Sequence, residues 1–199
     1  MAFQSVRPGA LLSPVPAVMV SCASQAARPN IITIAWAGTI CSQPPMVSIA
    51  VRKDRFSHRI LTESGEFVVN LVGEDQLRAA DFCGVKSGRD MDKFAACGLT
   101  PAPVAALEHA PAIAQCPIYL ACKIQQVLEL GSHDLFLGRI VDVGVQEALV
   151  EADGKINLQK ARLTAYCHGV YHSLGPALGF FGYSVAAPEV LERRMKEIQ

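Results

Sequence analysis

The stretch NIITIAWAGTICSQPPMVSIAVR, residues 30–52, decides which fold this chain adopts. Residues 31–34 are mostly β-branched and apolar, and residues 46–51 are again mainly apolar, which is typical of strands. The polar residues and two prolines between them indicate a turn, because proline cannot donate to a strand ladder. We therefore interpret this stretch as a strand, a polar turn and a second strand.

The polar content of that turn is its unusual feature. Hydroxyls, an amide and free backbone N–H groups beside the indole of Trp36 suit a ligand with a flat ring and a polar, anionic tail. An ordinary β-hairpin corner explains the same residues. Both interpretations stay open at this point.

The rest of the chain continues the pattern of strands joined by short turns. Further strands are predicted at 17–23, 67–71, 116–130 and 135–146. Short helices are predicted at 57–64 before Gly65, at 74–82 closed by Gly84, after a loop at 87–94 with Asp90 as cap, and at 188–198. Residues 1–16 form an entry arm and 101–115 a covering loop. Because strands do not alternate with long helices, we predict a mainly β fold, an antiparallel β-barrel with peripheral helices. We expect one domain over residues 1–199, with a C-terminal helix at 187–199.

Composition excludes several function classes. With 18 basic and 18 acidic residues the formal charge is zero, so no footprint for nucleic acid is present, and no apolar run is long enough to span a membrane. At 51% hydrophobic residues the chain is apolar for a monomer, which predicts a buried subunit interface. Seven scattered cysteines without a Cys-x-x-Cys pair indicate free thiols in a reducing cytoplasm.

Positive charge gathers where the second strand meets the first helix. Arg52, Arg55, Ser57 and His58 crowd this helix start, whose free N–H groups and dipole favour an anion. A solvated basic turn is the alternative. The sequence contains neither a Gly-x-Gly-x-x-Gly nor a Gly-x-x-x-x-Gly-Lys motif, so a dinucleotide-binding or P-loop site is not indicated.

Five segments in order resemble one known family. They are Asn30-x-x-Thr33-x-x-Trp36 with Pro44-Pro45, then Ser57-His58, then residues 65–71, then Lys93-Phe94, and then residues 131–139. In these the chain, over about residues 10–185, resembles the flavin reductase-like, FMN-binding split-barrel proteins, and especially their flavoredoxin-like branch. The resemblance implies a Greek-key split β-barrel, a homodimer with FMN near the subunit interface, and flavin redox chemistry.

The resemblance also implies site residues. Asn30, Trp36, Ser57, Lys93 and His133 match positions that contact FMN, with Ser57 standing where a threonine is common. Residues from Ile34 to Ser42 are expected to line the flavin, mainly through backbone N–H groups, and this set comprises Ile34, Ala35, Trp36, Ala37, Thr39, Cys41 and Ser42. Arg52 and His58 join the expected phosphate end.

Each of these residues also has a simpler interpretation. Lys93 is a surface lysine unless it places its charge on the phosphate or the ring, and Trp36 is core filling unless it packs on the cofactor. His133 is either an exposed turn residue or a proton source and hydrogen-bond donor at the flavin edge, the one catalytic residue that we predict. Cys41 could lie close to the ring, but its sequence neighbours give no sign of an activated thiol, so no thiol mechanism is predicted.

A separate aromatic and Gly-rich segment follows the barrel. His168 and His172 with Cys167 suggest a metal, but no carboxylate accompanies them and glycines interrupt the segment. We expect a lid over the flavin or the dimer seam instead, with Phe180 or Phe181 touching the ring.

The leading hypothesis is an FMN-dependent oxidoreductase that moves electrons from NADH or NADPH through FMN to free flavin, a redox partner protein or a small acceptor. A non-enzymatic FMN electron carrier is the second. A split-barrel binding protein for another planar ligand, such as haem, is the third.

Overall fold

A computed structural model describes residues 1–198 and shows seven strands joined into one antiparallel sheet. In chain order, these strands are β2 (Val18–Ser24), β3 (Ala27–Ile34), β4 (Ala37–Ser42), β5 (Pro45–Arg52), β6 (Glu66–Leu71), β9 (Ile118–Glu129) and β10 (His133–Val145). Their spatial order is β3-β2-β6-β9-β10-β5-β4. Strand β1 (Val15–Pro16) pairs instead with β11 (Thr164–Cys167) and β12 (Val170–Ser173), and β7 (Pro101–Ala102) pairs with β8 (Ala112–Ile113).

The two edge strands of the large sheet, β3 and β4, are consecutive in the chain. The sheet therefore curls on itself, and only Ala35 and Trp36 separate its two edges. The backbone N–H of Ala50 donates to the carbonyl of Trp36 at 3.0 Å, which ties this seam to β5. The predicted antiparallel split barrel with Greek-key order is confirmed.

Residues 30–52 differ in one respect from the predicted strand, turn and strand. Residues 37–42, expected as a polar turn, form strand β4, which pairs with β5. Strand β3 pairs with β2 instead, so the hairpin turn lies at Gln43–Pro44. Thr39 and Ser42 are exposed strand residues at the edge of a sheet, where polar side chains are common.

The core fills the inside of the barrel. Alternate residues of β2 (Val18, Val20 and Cys22) point into it, together with Phe67 of β6 and Phe136 of β10. The helix α1 (Phe56–Ser64) closes one end with Ile60 and Leu61, both fully buried. The helix ends at Gly65, whose left-handed φ of 70° favours glycine, as predicted.

A second apolar layer covers the outer face of β2 and β3. There Met19 and Ile31 pack against α2 (Leu77–Val85) and α3 (Lys93–Cys97). Two boundary predictions are wrong. Gly84 lies inside α2, which runs on to Val85, and the cap of α3 is Asp92 rather than Asp90, with the Asp92 carboxylate accepting from Ala95 N–H at 3.2 Å.

The C-terminal helix α4 (Pro188–Ile198) is observed where it was predicted, and Gln199 lies outside the described residues. The segment before Val15, predicted as an entry arm, is exposed, and the covering loop contains β7 and β8. None of the helices in residues 1–198 combines the length and apolarity needed to cross a lipid bilayer.

Candidate functional site

The start of α1 lacks the usual compensation for its dipole. Its N-cap residue, Arg55, is extended and makes no side-chain cap, and the first turn contains no acidic residue. The first N–H groups of a helix have no partner within the helix and carry partial positive charge. The end of α1 is therefore well suited to receive an anion.

A polar cleft of about 260 Å³ opens beside this helix end. We call it the cationic cleft. Its walls come from β3, the start of α1, the end of α2 and the loop to α3, and its lining residues are Asn30, Ile32, Asp54, Arg55, Phe56, Ser57, Cys83, Gly84, Lys86, Ser87, Gly88, Arg89 and Lys93. Four of them are cationic and only Asp54 is acidic, and Arg52 already pairs with the Asp54 carboxylate at 3.2 Å. The cleft thus has an excess of positive charge.

The back of the cationic cleft is tightly packed. Asn30 and Ser57 are both buried, and Asn30 Nδ2 donates to Ser57 Oγ at 2.8 Å. Gly88 lies directly against Asn30, because a Cβ added to Gly88 would be 2.1 Å from Asn30 Oδ1 and 2.9 Å from Phe56 Cδ1. The loop after α2 therefore approaches the cleft as closely as a glycine backbone permits.

Lys93 lies at the floor of this cleft, not on the surface, so the surface-lysine alternative is wrong. Its side chain is buried, and Nζ donates to the carbonyls of Ile31 at 2.7 Å and Cys83 at 2.8 Å. Burial is the main cause that lowers the pKa of Lys93 below its usual value. The residue joins α2 and α3 to β3 while it adds positive charge to the cleft.

A second, more open cleft of about 260 Å³ adjoins the first, and the two share Ile32 and Arg55. We call it the ring cleft. Its lining combines an apolar floor with a polar rim and comprises Ile32, Thr33, Ile34, Ala35, Trp36, Ala50, Val51, Arg52, Arg55, His133 and Tyr166. Trp36 stands at the seam between the sheet edges and is 49% exposed. The indole therefore presents part of its surface to the ring cleft.

His133 faces Trp36 across the ring cleft. The centroids of the two rings are 4.8 Å apart with an interplanar angle of 46°. His133 begins β10 opposite Arg52 of β5, and its Nδ1 lies 2.9 Å from Ser132 Oγ. Within residues 1–198, the other ring nitrogen makes no hydrogen bond, so Nε2 is available to a ligand.

Some predicted site residues lie elsewhere. Ala37, Thr39, Cys41 and Ser42 belong to β4 and line neither cleft, because the turn that was to carry them is a strand. His58 also lines neither cleft. Asn30, Ile34, Ala35, Trp36, Arg52, Ser57, Lys93 and His133 do lie along the two clefts.

His58, in the first turn of α1, makes a short hydrogen bond to Asp134 of β10. Its Nε2 is 2.7 Å from Asp134 Oδ2, and Lys53 Nζ is 3.3 Å from the other carboxylate oxygen. Burial alone would raise the pKa of Asp134, but the hydrogen bonds and charges of His58 and Lys53 together hold that pKa below its usual value of 3.8. This cluster connects α1, which borders the cationic cleft, to β10, which carries His133.

Sequence reasoning did not include Lys86, Gly88 and Arg89 among the site residues. A signal was present, since Lys86-Ser87-Gly88-Arg89 places a glycine among cations between two helical patterns.

The aromatic segment forms the β11–β12 hairpin, and Tyr166 is its contribution to the ring cleft. Neither Phe180 nor Phe181 lines that cleft, and residues 1–198 contain no cluster of metal-ligating side chains.

Known proteins with similar sequence or structure include flavin reductases and a flavoredoxin. A family model described as a flavin reductase like domain matches residues 11–175. Among solved structures, flavoredoxin of Desulfovibrio vulgaris (Miyazaki F) superposes with a TM-score of 0.83 at 32% identity, covering 90% of this chain and 97% of that one.

Two similar sequences are named reductases. The reductase component of a 4-nitrophenol 4-monooxygenase/4-nitrocatechol 2-monooxygenase from Rhodococcus opacus is 29% identical over 110 residues, which is 55% of each chain. An NADH-dependent flavin reductase from Pseudomonas fluorescens is 29% identical over 111 residues, 55% of this chain and 59% of that one. The chain thus spans little more than half the length of these two relatives.

Proposed function

The chain belongs to the flavin reductase-like domain family, and on that premise we propose that it binds FMN across its two clefts and passes electrons from NADH or NADPH to free flavin or a partner acceptor. One observation carries the proposal. A cationic cleft at an uncapped helix start adjoins a cleft walled by a half-exposed tryptophan. This is the layout that a phosphate on the tail of a planar ring requires.

The cationic cleft suits a phosphate for two reasons. Arg55, Lys86 and Arg89 offer positive charge, and the start of α1 offers backbone N–H groups. Gly88 lets the backbone of its loop pack against the back of the cleft, since a Cβ there would clash with Asn30 and Phe56.

The ring cleft suits an isoalloxazine. Trp36 gives it an aromatic wall, and Ile34 with Ala35 gives it an apolar floor. When bound there, FMN supplies the two-electron redox chemistry, while the chain orients it and excludes water from one face. Arg52 and His133 lie on the rim, so they are placed to hydrogen-bond the polar edge of a ring.

His133 is our candidate for the proton-handling group. Trp36 packs against its ring and Ser132 engages Nδ1, so Nε2 is held in one orientation at the cleft. From this position it donates a hydrogen bond or a proton at the ring edge. No dinucleotide-binding motif is present, so a nicotinamide is expected to stack on the open side of the ring cleft.

A homodimer and a reducing cytoplasm belong to the same proposal. Large apolar side chains are exposed on β9 and β10, among them Val127, Leu128, Val141 and Val143, which supports burial against a second subunit. All seven cysteines are free thiols, which supports a reducing compartment.

A non-enzymatic electron carrier is the second candidate. The similar structure from Desulfovibrio vulgaris, named flavoredoxin, favours it. In that case reduced FMN hands its electrons to a redox partner protein, and the chain alone has almost no steady-state NAD(P)H oxidation.

Anaerobic reduction separates these functions. The purified protein is loaded with FMN, NADH or NADPH is added, and the visible flavin bands are followed. Rapid bleaching by a nicotinamide is the expected result. Bleaching only by dithionite would move the assignment to the carrier, and failure to take up FMN would refute both and favour another planar ligand.

A further inference from the structure

Two thiols lie beside each other beneath the cationic cleft. Cys83 of α2 and Cys97 at the end of α3 have their Sγ atoms 4.0 Å apart, although 14 positions separate them in the sequence. Cys83 is fully buried and lines the cleft, whereas Cys97 is partly exposed. To form a bond, the two sulfurs must approach each other, which combines side-chain rotation with movement of α2 and α3 towards each other.

We propose that Cys83 and Cys97 form a peroxide-sensitive oxidation site, in which a disulfide between them reshapes the cationic cleft and weakens its hold on a phosphate group. Both side chains pack in the apolar layer outside β2 and β3, but the proposed electron transfer does not use them. Formation of the bond does not depend on the flavin, whereas its effect on FMN affinity rests on the proposed function.

The chemistry balances with hydrogen peroxide as the oxidant. The sulfur of Cys97, the more accessible thiol, attacks one peroxide oxygen, which breaks the O–O bond, releases water and leaves a sulfenic acid. The sulfur of Cys83 then attacks the Cys97 sulfur, the S–O bond breaks, and a second water leaves. In total, two thiols lose two electrons and two protons, and one peroxide becomes two waters.

The order of the two steps follows from the surroundings. Burial raises the pKa of the Cys83 thiol to about 12, so Cys83 does not supply the first thiolate. Once Cys97 is oxidised, the neighbouring Cys83 reacts because it is held within 4.0 Å. Dioxygen that accepts electrons from reduced flavin would supply the peroxide where the proposed function holds.

The bond would close a loop that contains one whole wall of the cleft. Lys86, Ser87, Gly88, Arg89 and Lys93 all lie between the two cysteines. A disulfide is about 2 Å long, so the sulfurs must approach each other by about 2 Å.

That wall has little room to move. The Cys83 carbonyl accepts a hydrogen bond from Lys93 at 2.8 Å, and Gly88 is already in close contact with Asn30. Shifting the anchor at Cys83 therefore displaces the cationic side chains from their positions around a phosphate.

The first test maps the bond without any flavin. The reduced protein is treated with a few equivalents of hydrogen peroxide, the remaining thiols are alkylated, and peptides are identified by mass spectrometry. We expect one cross-linked product that joins the peptides of Cys83 and Cys97, reversed by dithiothreitol. Cys97→Ser should lack it, and Cys167→Ser, which removes another partly exposed thiol, should keep it.

The second test reads the cleft. Amide hydrogen exchange of residues 86–93 should differ between the oxidised and reduced protein, and FMN affinity should fall at least about fivefold on oxidation, which corresponds to one ordinary hydrogen bond. Cys97→Ser should show neither change. Peroxide that leaves both thiols free, links other cysteines, or forms the bond without altering exchange at 86–93 would overturn the proposal. If the reduced protein does not bind FMN, the proposed function fails. The disulfide proposal is then tested by the peptide mapping and the hydrogen exchange alone.

Discussion

Replacing Gly88 by alanine is the sharpest single perturbation of the cationic cleft. The added methyl carbon would lie 2.1 Å from Oδ1 and 2.7 Å from Cγ of Asn30. Real Cβ contacts are not shorter than 3.0 Å, so either the Asn30 amide or the loop must retreat by about 1 Å. Asn30 is buried and holds Ser57 at the start of α1.

The size of the effect follows from the hydrogen bond that is lost. Moving the amide by about 1 Å stretches the 2.8 Å bond from Asn30 Nδ2 to Ser57 Oγ beyond hydrogen-bond range. A buried polar group left without its partner costs about 1–3 kcal/mol of folding stability. A loop that retreats instead withdraws Arg89 from the phosphate, and losing one charge-assisted hydrogen bond weakens binding by about 10- to 150-fold.

The assay is a titration of the Gly88→Ala variant with FMN, followed by quenching of flavin fluorescence, alongside urea unfolding. Gly175→Ala is the matched control, because its added Cβ meets nothing within 4 Å and its φ is not left-handed. We expect FMN affinity or stability to fall in the first variant and both to stay unchanged in the second. Wild-type values of both in Gly88→Ala would refute the packing argument.

Four further predictions concern the same site. Arg89→Ala should weaken FMN binding about 10-fold at low salt and less at high salt, whereas Lys155→Ala, which removes an exposed lysine paired with its own loop, should not. Trp36→Ala should weaken the binding of both FMN and riboflavin by about 0.5–1.5 kcal/mol, as the loss of aromatic stacking does. Calorimetry that gives the variant wild-type affinity for both ligands would exclude Trp36 as a wall of the ring cleft. His133→Ala should slow reduction by NAD(P)H in stopped flow more than it changes FMN affinity, and an unaltered rate would leave His133 with only its structural place at the start of β10. The pKa of Asp134 in the folded protein is lower than its ordinary 3.8, so ionised Asp134 stabilises the fold above pH 3.8. This contribution to the unfolding free energy is lost as pH falls through the lowered pKa. Asp134→Asn should therefore remove this acid-dependent part of the unfolding free energy.

The barrel itself could be predicted because its strands carry strong local patterns. The β9–β10 hairpin and α1 with its terminal glycine lie where periodicity and turn residues placed them. The status of residues 37–42 could not be predicted from local pattern. Polar residues there favour a turn, but pairing with β5 satisfies their backbone groups, and tertiary pairing outweighs local propensity.

Some residues of the two clefts could also be predicted from the sequence, whereas the structural role of others could not. Trp36 and Ser57 lie in recognisable segments, so their sequence context pointed to the site. Lys93 also lies in a recognisable segment and was expected at the site, but its burial was not predicted, because nothing local shows that the carbonyls of Ile31 and Cys83 converge on its ammonium group. The role of Gly88 depends on a contact with Asn30, far away in the chain, and no local rule could reveal it.

The most direct test of the account compares FMN with riboflavin as ligands of the same purified protein. The two differ only in the phosphate, so the difference in affinity isolates the cationic cleft. We predict that FMN binds at least about 100-fold more tightly than riboflavin, because several charge-assisted hydrogen bonds depend on the phosphate, and that added salt reduces this difference in affinity. Equal affinities for the two ligands would contradict the assignment of the cationic cleft as a phosphate site.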